Sequence, residues 1–315
     1  ACDKSSPPPS QQEAVPSAET RLAQLQKQAD SGDADAQLNL GVMYYNGEGV
    51  PKDAAKAVEW FQKAAAQGDA KAQHNLGWMY ENGDGMQKNA AKAVEWYQKA
   101  AAQGLAEAQC NLGLMYDNGK GVLKDAAKAV EWYQKAAAQG QAIAQFNLGL
   151  MYENGEGVPK NAAKAVEWYQ KAAAQGNAKA QYELGVMYVK GEGVPKNTVK
   201  AAEWYQKSAA QGNAKAQGAI GGMYGDGEGV PQDEVLAYAW FNLEAAQGEK
   251  LAKEARDSVR MSSGLSSAQR AEAERLSSNW KSGQVLRREC ESDSGTGNVA
   301  PAGGALAKKG TGTAF

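Results

Sequence analysis

The sequence predicts an all-α solenoid of six stacked helical hairpins. Three observations predict it. Glycines recur every 36 residues, at Gly32, Gly68, Gly104, Gly140, Gly176, Gly212 and Gly248. Larger residues return in the same phase: Leu40-Gly41 reappears as Leu76-Gly77, Leu112-Gly113, Leu148-Gly149 and Leu184-Gly185, and Trp60 as Trp96, Trp132, Trp168, Trp204 and Trp240. Alanine is abundant and β-branched residues are sparse, which favours helix over strand. Self-similarity at one period overrides the expectation of two globular domains that 315 residues would otherwise set.

Taken in order, residues 1–16 are rich in Pro and Ser and predict a semi-extended tether. Residues 17–31 predict a lone helix with Ser17 as its N-cap, covering the open end of the first repeat. The six repeats span 32–247. In the first, helix A runs from about Asp33 to Asn46, and Gly47 suits the left-handed residue that closes it. The loop Gly47-Glu48-Gly49-Val50-Pro51 follows. Asp53 then caps helix B, as Asn89, Asp125, Asn161, Asn197 and Asp233 do in the other copies. Helix B runs to about Gln67.

Gly41 sits inside helix A, where glycine costs about 1 kcal/mol relative to alanine. Its return predicts a close approach to helix B, with Ala57, Ala64 and Ala65 keeping the pair tight and Trp60 and Tyr44 filling the wider spaces. Met86-Gln87 and Val122-Leu123 lack the loop proline. The sixth helix A carries Gly218, Gly222 and Gly225 and is expected to be the least stable. Residues 248–281, entered through Tyr238-Ala239-Trp240-Phe241, predict closing helices, because a terminal repeat otherwise shows an apolar face to water. Residues 282–315 are rich in Gly, Ser, Thr and Ala and predict a disordered tail.

Composition excludes several functions. The net charge of −2, with no clustered Lys and Arg, argues against a nucleic-acid partner. No run of about 18 apolar residues occurs, so no transmembrane helix is expected. Cys2, Cys110 and Cys290 are odd in number and far apart, so no disulfide framework follows. His74 is the single histidine.

The pattern Ala36-x3-Leu40-Gly41-x2-Tyr44-x2-Gly47-x-Gly49-Val50, continued by Lys56-Ala57-x2-Trp60-x3-Ala64-Ala65-x2-Gly68, resembles the Sel1-like repeat family, relatives of the tetratricopeptide repeats. The resemblance implies a right-handed superhelical α/α solenoid and a non-catalytic scaffold for a protein or peptide partner. It also implies that helix A lines the concave surface. Ala1-Cys2-Asp3 with the polar run to Pro9 resembles the processing site of a bacterial lipoprotein. That resemblance implies lipidation at Cys2, membrane contact only through that anchor, and a periplasmic location in the cell envelope. A cytoplasmic signalling adaptor is the alternative. Cysteine-rich Sel1-like proteins associated with β-lactam hydrolysis carry paired cysteines in each repeat, and this chain has no such pairing.

The differences between near-copies point to the binding face. At 100° per residue Ala36, Leu40, Gly41 and Tyr44 share the packing face. Three variable series lie opposite. One runs Leu38, His74, Cys110, Phe146, Tyr182, Gly218; the second Val42, Trp78, Leu114, Leu150, Val186, Gly222; the third Asp35, Lys71, Glu107, Ile143, Lys179, Lys215. The expected partner contacts are Leu38, Val42, Lys71, His74, Trp78, Cys110, Leu114, Phe146, Leu150, Tyr182 and Val186, since apolar groups turned away from a packed face mark interaction sites.

Other signals carry no chemistry. Gly47-x-Gly49 follows a helix rather than a strand, unlike a phosphate loop. His74 and Cys110 are two ligands in adjacent repeats, too few for zinc. Cys110 lacks a base other than His74. Lys56, Glu59 and Lys63 are spaced for pairing on a solvated face. No catalytic residue, metal or cofactor is expected.

Overall fold

A computed structural model describes residues 18–248, 253–254, 256–257 and 264–288. The tether, Ser17, Cys2, Cys290, Leu251 and the tail from residue 289 lie outside the described residues. Among the described residues there are fourteen helices and no strand. They are α1 (Ala18–Asp30), α2 (Ala34–Asn46), α3 (Ala54–Ala66), α4 (Ala70–Asn82), α5 (Ala90–Ala102), α6 (Ala106–Asn118), α7 (Ala126–Ala138), α8 (Ala142–Asn154), α9 (Ala162–Ala174), α10 (Ala178–Lys190), α11 (Thr198–Ala210), α12 (Ala214–Asp226), α13 (Glu234–Ala246) and α14 (Ser267–Asn279).

Local chemistry sets these ends. Asp53 Oδ1 accepts from the Lys56 N–H at 3.0 Å, and Asn89, Asp125, Asn161 and Asn197 do the same for their own helices. Such a bond satisfies a donor that the first helical turn leaves over. Asp33, Asp69, Asn177 and Asn213 cap the first helices likewise, whereas Leu105 at the start of α6 makes no side-chain cap bond. Gly47 closes α2 at φ 78°, and its N–H donates to the Met43 carbonyl.

The chain divides between Lys124 and Asp125 into two units. In the first, α1 packs on α2 and each helix packs on the next through α6; in the second, the same succession runs from α7 to α13, and α14 covers α13. This is a solenoid of hairpins, each burying an apolar face that it cannot bury alone. The cores are built in steps: Ala57, Phe61, Leu76 and Met79 in the first unit, Ala165, Tyr169, Leu184 and Met187 in the second.

The close approach predicted at Gly41 is present, but the partner differs. A methyl group there would lie 2.6 Å from the Phe61 ring, and one at Gly185 would lie 2.4 Å from the Tyr205 ring. The glycine makes room for the aromatic that follows the repeated tryptophan, not for alanines alone. Tyr97, Tyr133 and Tyr169 in that register are fully buried. Trp60 is buried against Ala29 and Leu40, but Trp96, Trp132, Trp168 and Trp204 are half-buried. Lys63, Lys99, Lys135, Lys171 and Lys207 lie over these indoles at 3.7–4.2 Å. Lys63 thus serves a cation–π contact rather than only a helical ion pair, because its stem reaches back one turn over the ring.

A buried glutamine joins the hairpins. Gln73 donates to the Ala65 carbonyl of the preceding second helix at 3.2 Å and accepts from Gln103 at 2.8 Å. Gln37, Gln181 and Gln217 repeat both bonds. The amide adds a second donor to a C-terminal carbonyl that already accepts the N–H of the closing glycine, as Ala65 does from Gly68 at 3.0 Å. At the far end the chain stays packed beyond Ser282, where disorder was expected. Leu286 is buried with Leu265 and Ala273, and Arg288 pairs with Glu272 at 3.0 Å and Asp233 at 3.7 Å. Val285 and Leu286 are large apolar groups within an otherwise small-residue segment, and they keep it on α14.

Candidate protein-binding surface

The first helices of the hairpins carry the variable series, and their rear faces fix how far those side chains open to solvent. In the first unit, Leu38 and Val42 on α2 and Leu114 on α6 are half-buried, and Lys71 is exposed. Trp78 on α4 is half-buried and meets Tyr45 edge-on at 5.5 Å between ring centroids. His74 and Cys110 depart from expectation: they are only 6 % and 2 % exposed. The His74 ring lies 5.6 Å from the Tyr97 ring, and its Nε2 is 3.0 Å from Asn111 Nδ2 on α6. Burial lowers its pKa, and burial followed by Glu107 pushes the Cys110 thiol up to about 12. Both residues therefore support the surface from beneath rather than meet a partner, because each is small enough to sink onto the second-helix layer.

In the second unit the larger members stay half open. Phe146 on α8 lies 5.8 Å from the Tyr169 ring, and Tyr182 on α10 lies 5.7 Å from the Tyr205 ring. Each rests one flank on the buried tyrosine and turns the other outward. Leu150 and Val186 sit half-buried one turn further on, and Ile143 is 51 % exposed. Gly218 and Gly222 on α12 end the strip, and the Glu244 carboxylate fills the space beside Gly218.

Carboxylates within this strip were not singled out from sequence. In the first unit Glu81 accepts from the Tyr97 hydroxyl at 2.8 Å and from the Lys120 ammonium at 2.7 Å. In the second, Glu153 accepts from the Tyr169 hydroxyl at 2.5 Å. Glu183 on α10 is half-buried; burial and then Glu153 raise its pKa, while Lys215 and Lys190 act against the rise. The available signal was register: Glu153 lies two repeats after Glu81, and Glu183 replaces the asparagine seen at Asn75, Asn111 and Asn147. Among the described residues no group of three or more His, Cys, Asp or Glu could hold a metal ion, and no helix is long and apolar enough to cross a membrane.

Comparison with known proteins now bears on this geometry. Among curated proteins, none matches the chain. Protein c5321 of uropathogenic Escherichia coli, a protective antigen with an SLR fold, is 41% identical with a TM-score of 0.75 over 82% of this chain. The match covers 57% of that structure's chain, so this protein spans little more than half its length. A Sel1 repeat protein from Oxalobacter formigenes is 35% identical with a TM-score of 0.63, over 72% of this chain and 96% of that one. The family model described as Sel1 repeat matches six times without a gap, at residues 34–69, 70–105, 106–141, 142–177, 178–213 and 214–249, and the chain therefore belongs to the Sel1 repeat family.

Proposed function

We propose that the chain is a non-catalytic scaffold that holds a protein or peptide partner against the outward faces of its first helices. Sel1 repeat proteins generally mediate protein–protein interactions, and their relatives with this fold are typically non-catalytic. One observation carries the reading here. Helices α5, α7 and α9 are identical in sequence, whereas the half-open positions of the first helices are Trp78 on α4, Leu114 on α6, Phe146 and Leu150 on α8, and Tyr182 and Val186 on α10, more varied and all apolar or aromatic. Half-open aromatic and aliphatic groups are the usual anchors of interfaces.

A photo-crosslinking amino acid tests it. Placed at Leu150 or Val186 in cells, it is expected to capture discrete protein partners. Placed at the exposed Glu131 or Gln170 of the second helices, it is expected to capture none. Equal labelling from both sets of positions would overturn the reading.

A bacterial envelope location, with a lipid at Cys2, is proposed on the residues Ala1 to Pro9 alone. Fatty-acid labelling of the native protein that disappears in Cys2→Ser is the expected result, and no incorporation would reject it.

A further inference from the structure

The first unit holds a site with its cation, and the second unit holds the same parts with no ion pair to them among the described residues. In the first unit the Glu81 carboxylate accepts the Tyr97 hydroxyl at 2.8 Å, with His74 packed at a tilt against the Tyr97 ring, and Lys120 from the following loop closes the site at 2.7 Å. Two repeats later the parts return. Glu153 accepts the Tyr169 hydroxyl, and Phe146 packs at a tilt against the Tyr169 ring. The residue in the register of Lys120 is now Glu192, and among the described residues no ion pair reaches Glu153. A second carboxylate, Glu183, couples to Glu153 where the first four repeats place asparagine. Exposed Lys179, Lys190 and Lys215 border this face, so its negative centre has a basic rim.

We infer that the α8–α10 face binds a partner segment that inserts a Lys or Arg side chain between Glu153 and Glu183, flanked by apolar residues on Phe146 and Leu150 and on Tyr182 and Val186. The first unit supplies the template, since an ammonium already fills the equivalent place there. The carboxylates are half-buried, so a cation brought to them meets less solvent screening than at an open surface. The rings beside them accept the apolar neighbours of that cation and the stem of its side chain. This inference rests on the scaffold reading and names the chemistry of its partner.

The probe is a display library of random twelve-residue peptides selected on the full chain, with recovered peptides synthesised and titrated by fluorescence anisotropy. Recovered peptides are expected to carry a Lys or Arg between apolar residues. Affinity should fall at least tenfold in Glu153→Gln/Glu183→Asn and weaken with added salt. Glu192→Lys restores the register of Lys120 and should abolish binding by filling the site from within, while Glu131→Gln on the exposed second-helix face leaves it unchanged. Glu183→Asn installs the residue of the first four repeats, and helicity by circular dichroism confirms that the variants fold. Peptides without a basic residue that lose affinity in Leu150→Ala would overturn this inference and leave the scaffold reading standing. Peptides indifferent to every one of these changes, or no recovered peptide at all, would overturn both.

Discussion

Gly185 and Gly222 stand on helices of the same register and should respond oppositely to one methyl group. At Gly185 the new carbon would lie 2.4 Å from the buried Tyr205 ring, while at Gly222 nothing lies within 4 Å. Gly185→Ala is expected to cost about 2 kcal/mol by forcing the ring from its seat. Gly222→Ala should stabilise by about 0.5–1 kcal/mol, since helical backbone suits alanine and the unfolded chain loses freedom. Paired urea titrations would show the two midpoints moving in opposite directions.

His74 makes a second prediction at this scale. Its folded pKa lies below the unfolded value of 6.5, chiefly through burial. The unfolded chain therefore takes up the proton first. Stability from the neutral ring is present above pH 6.5 and lost as the pH falls from there through the depressed folded value. His74→Gln should flatten the stability profile across that window, because no other histidine exists. An unchanged profile in chemical denaturation would contradict this assignment.

At the scale of the element, stability depends on how helix ends are satisfied. Leu105 is the residue at the start of α6 that makes no side-chain cap bond, where Asp33, Asp69, Asn177 and Asn213 do. Leu105→Asp is expected to add about 1 kcal/mol, read as a rise in the urea midpoint. The opposite case is Gln73, which is buried and ties the end of α3 to the end of α5. Gln73→Ala removes one partner each from the Ala65 carbonyl and the Gln103 amide, which keep their bonds to the Gly68 N–H and carbonyl. A loss of about 1–2 kcal/mol is expected, with faster amide exchange at the ends of both helices.

At the scale of the molecule, a repeat array is held by its nearest neighbours, so damage should stay local. Leu286 is buried against the final hairpin together with Leu265 and Ala273. Leu286→Ala is expected to cost about 2–3 kcal/mol there. Hydrogen exchange should accelerate in α12, α13 and α14 and stay unchanged in α1 to α4. Uniform acceleration along the chain would mean that the array unfolds as one body.

Much of this architecture follows from local rules. The 36-residue period, the capping Asp and Asn, and the left-handed glycine after each first helix are properties of single turns, so hairpin number and helix bounds were legible to within about a residue. The packing face of α2 was legible for the same reason, since Ala36, Leu40 and Gly41 share one side of a helix and all are buried. Contacts across space were not. Gln37 reads as a polar surface residue until the carbonyl of Ala29 is brought to it. Phe146 and Tyr182 remain half open while His74 and Cys110 sink, a difference decided by side-chain size against a fixed layer of second-helix rings. Periodicity by itself determined the order of the helices and which side of each packs. Only tertiary structure decided which polar groups meet and how deep each side chain sits, because both depend on groups that the packed helices bring together, from 8 residues apart at Gln37 and Ala29 to 39 at Lys120 and Glu81.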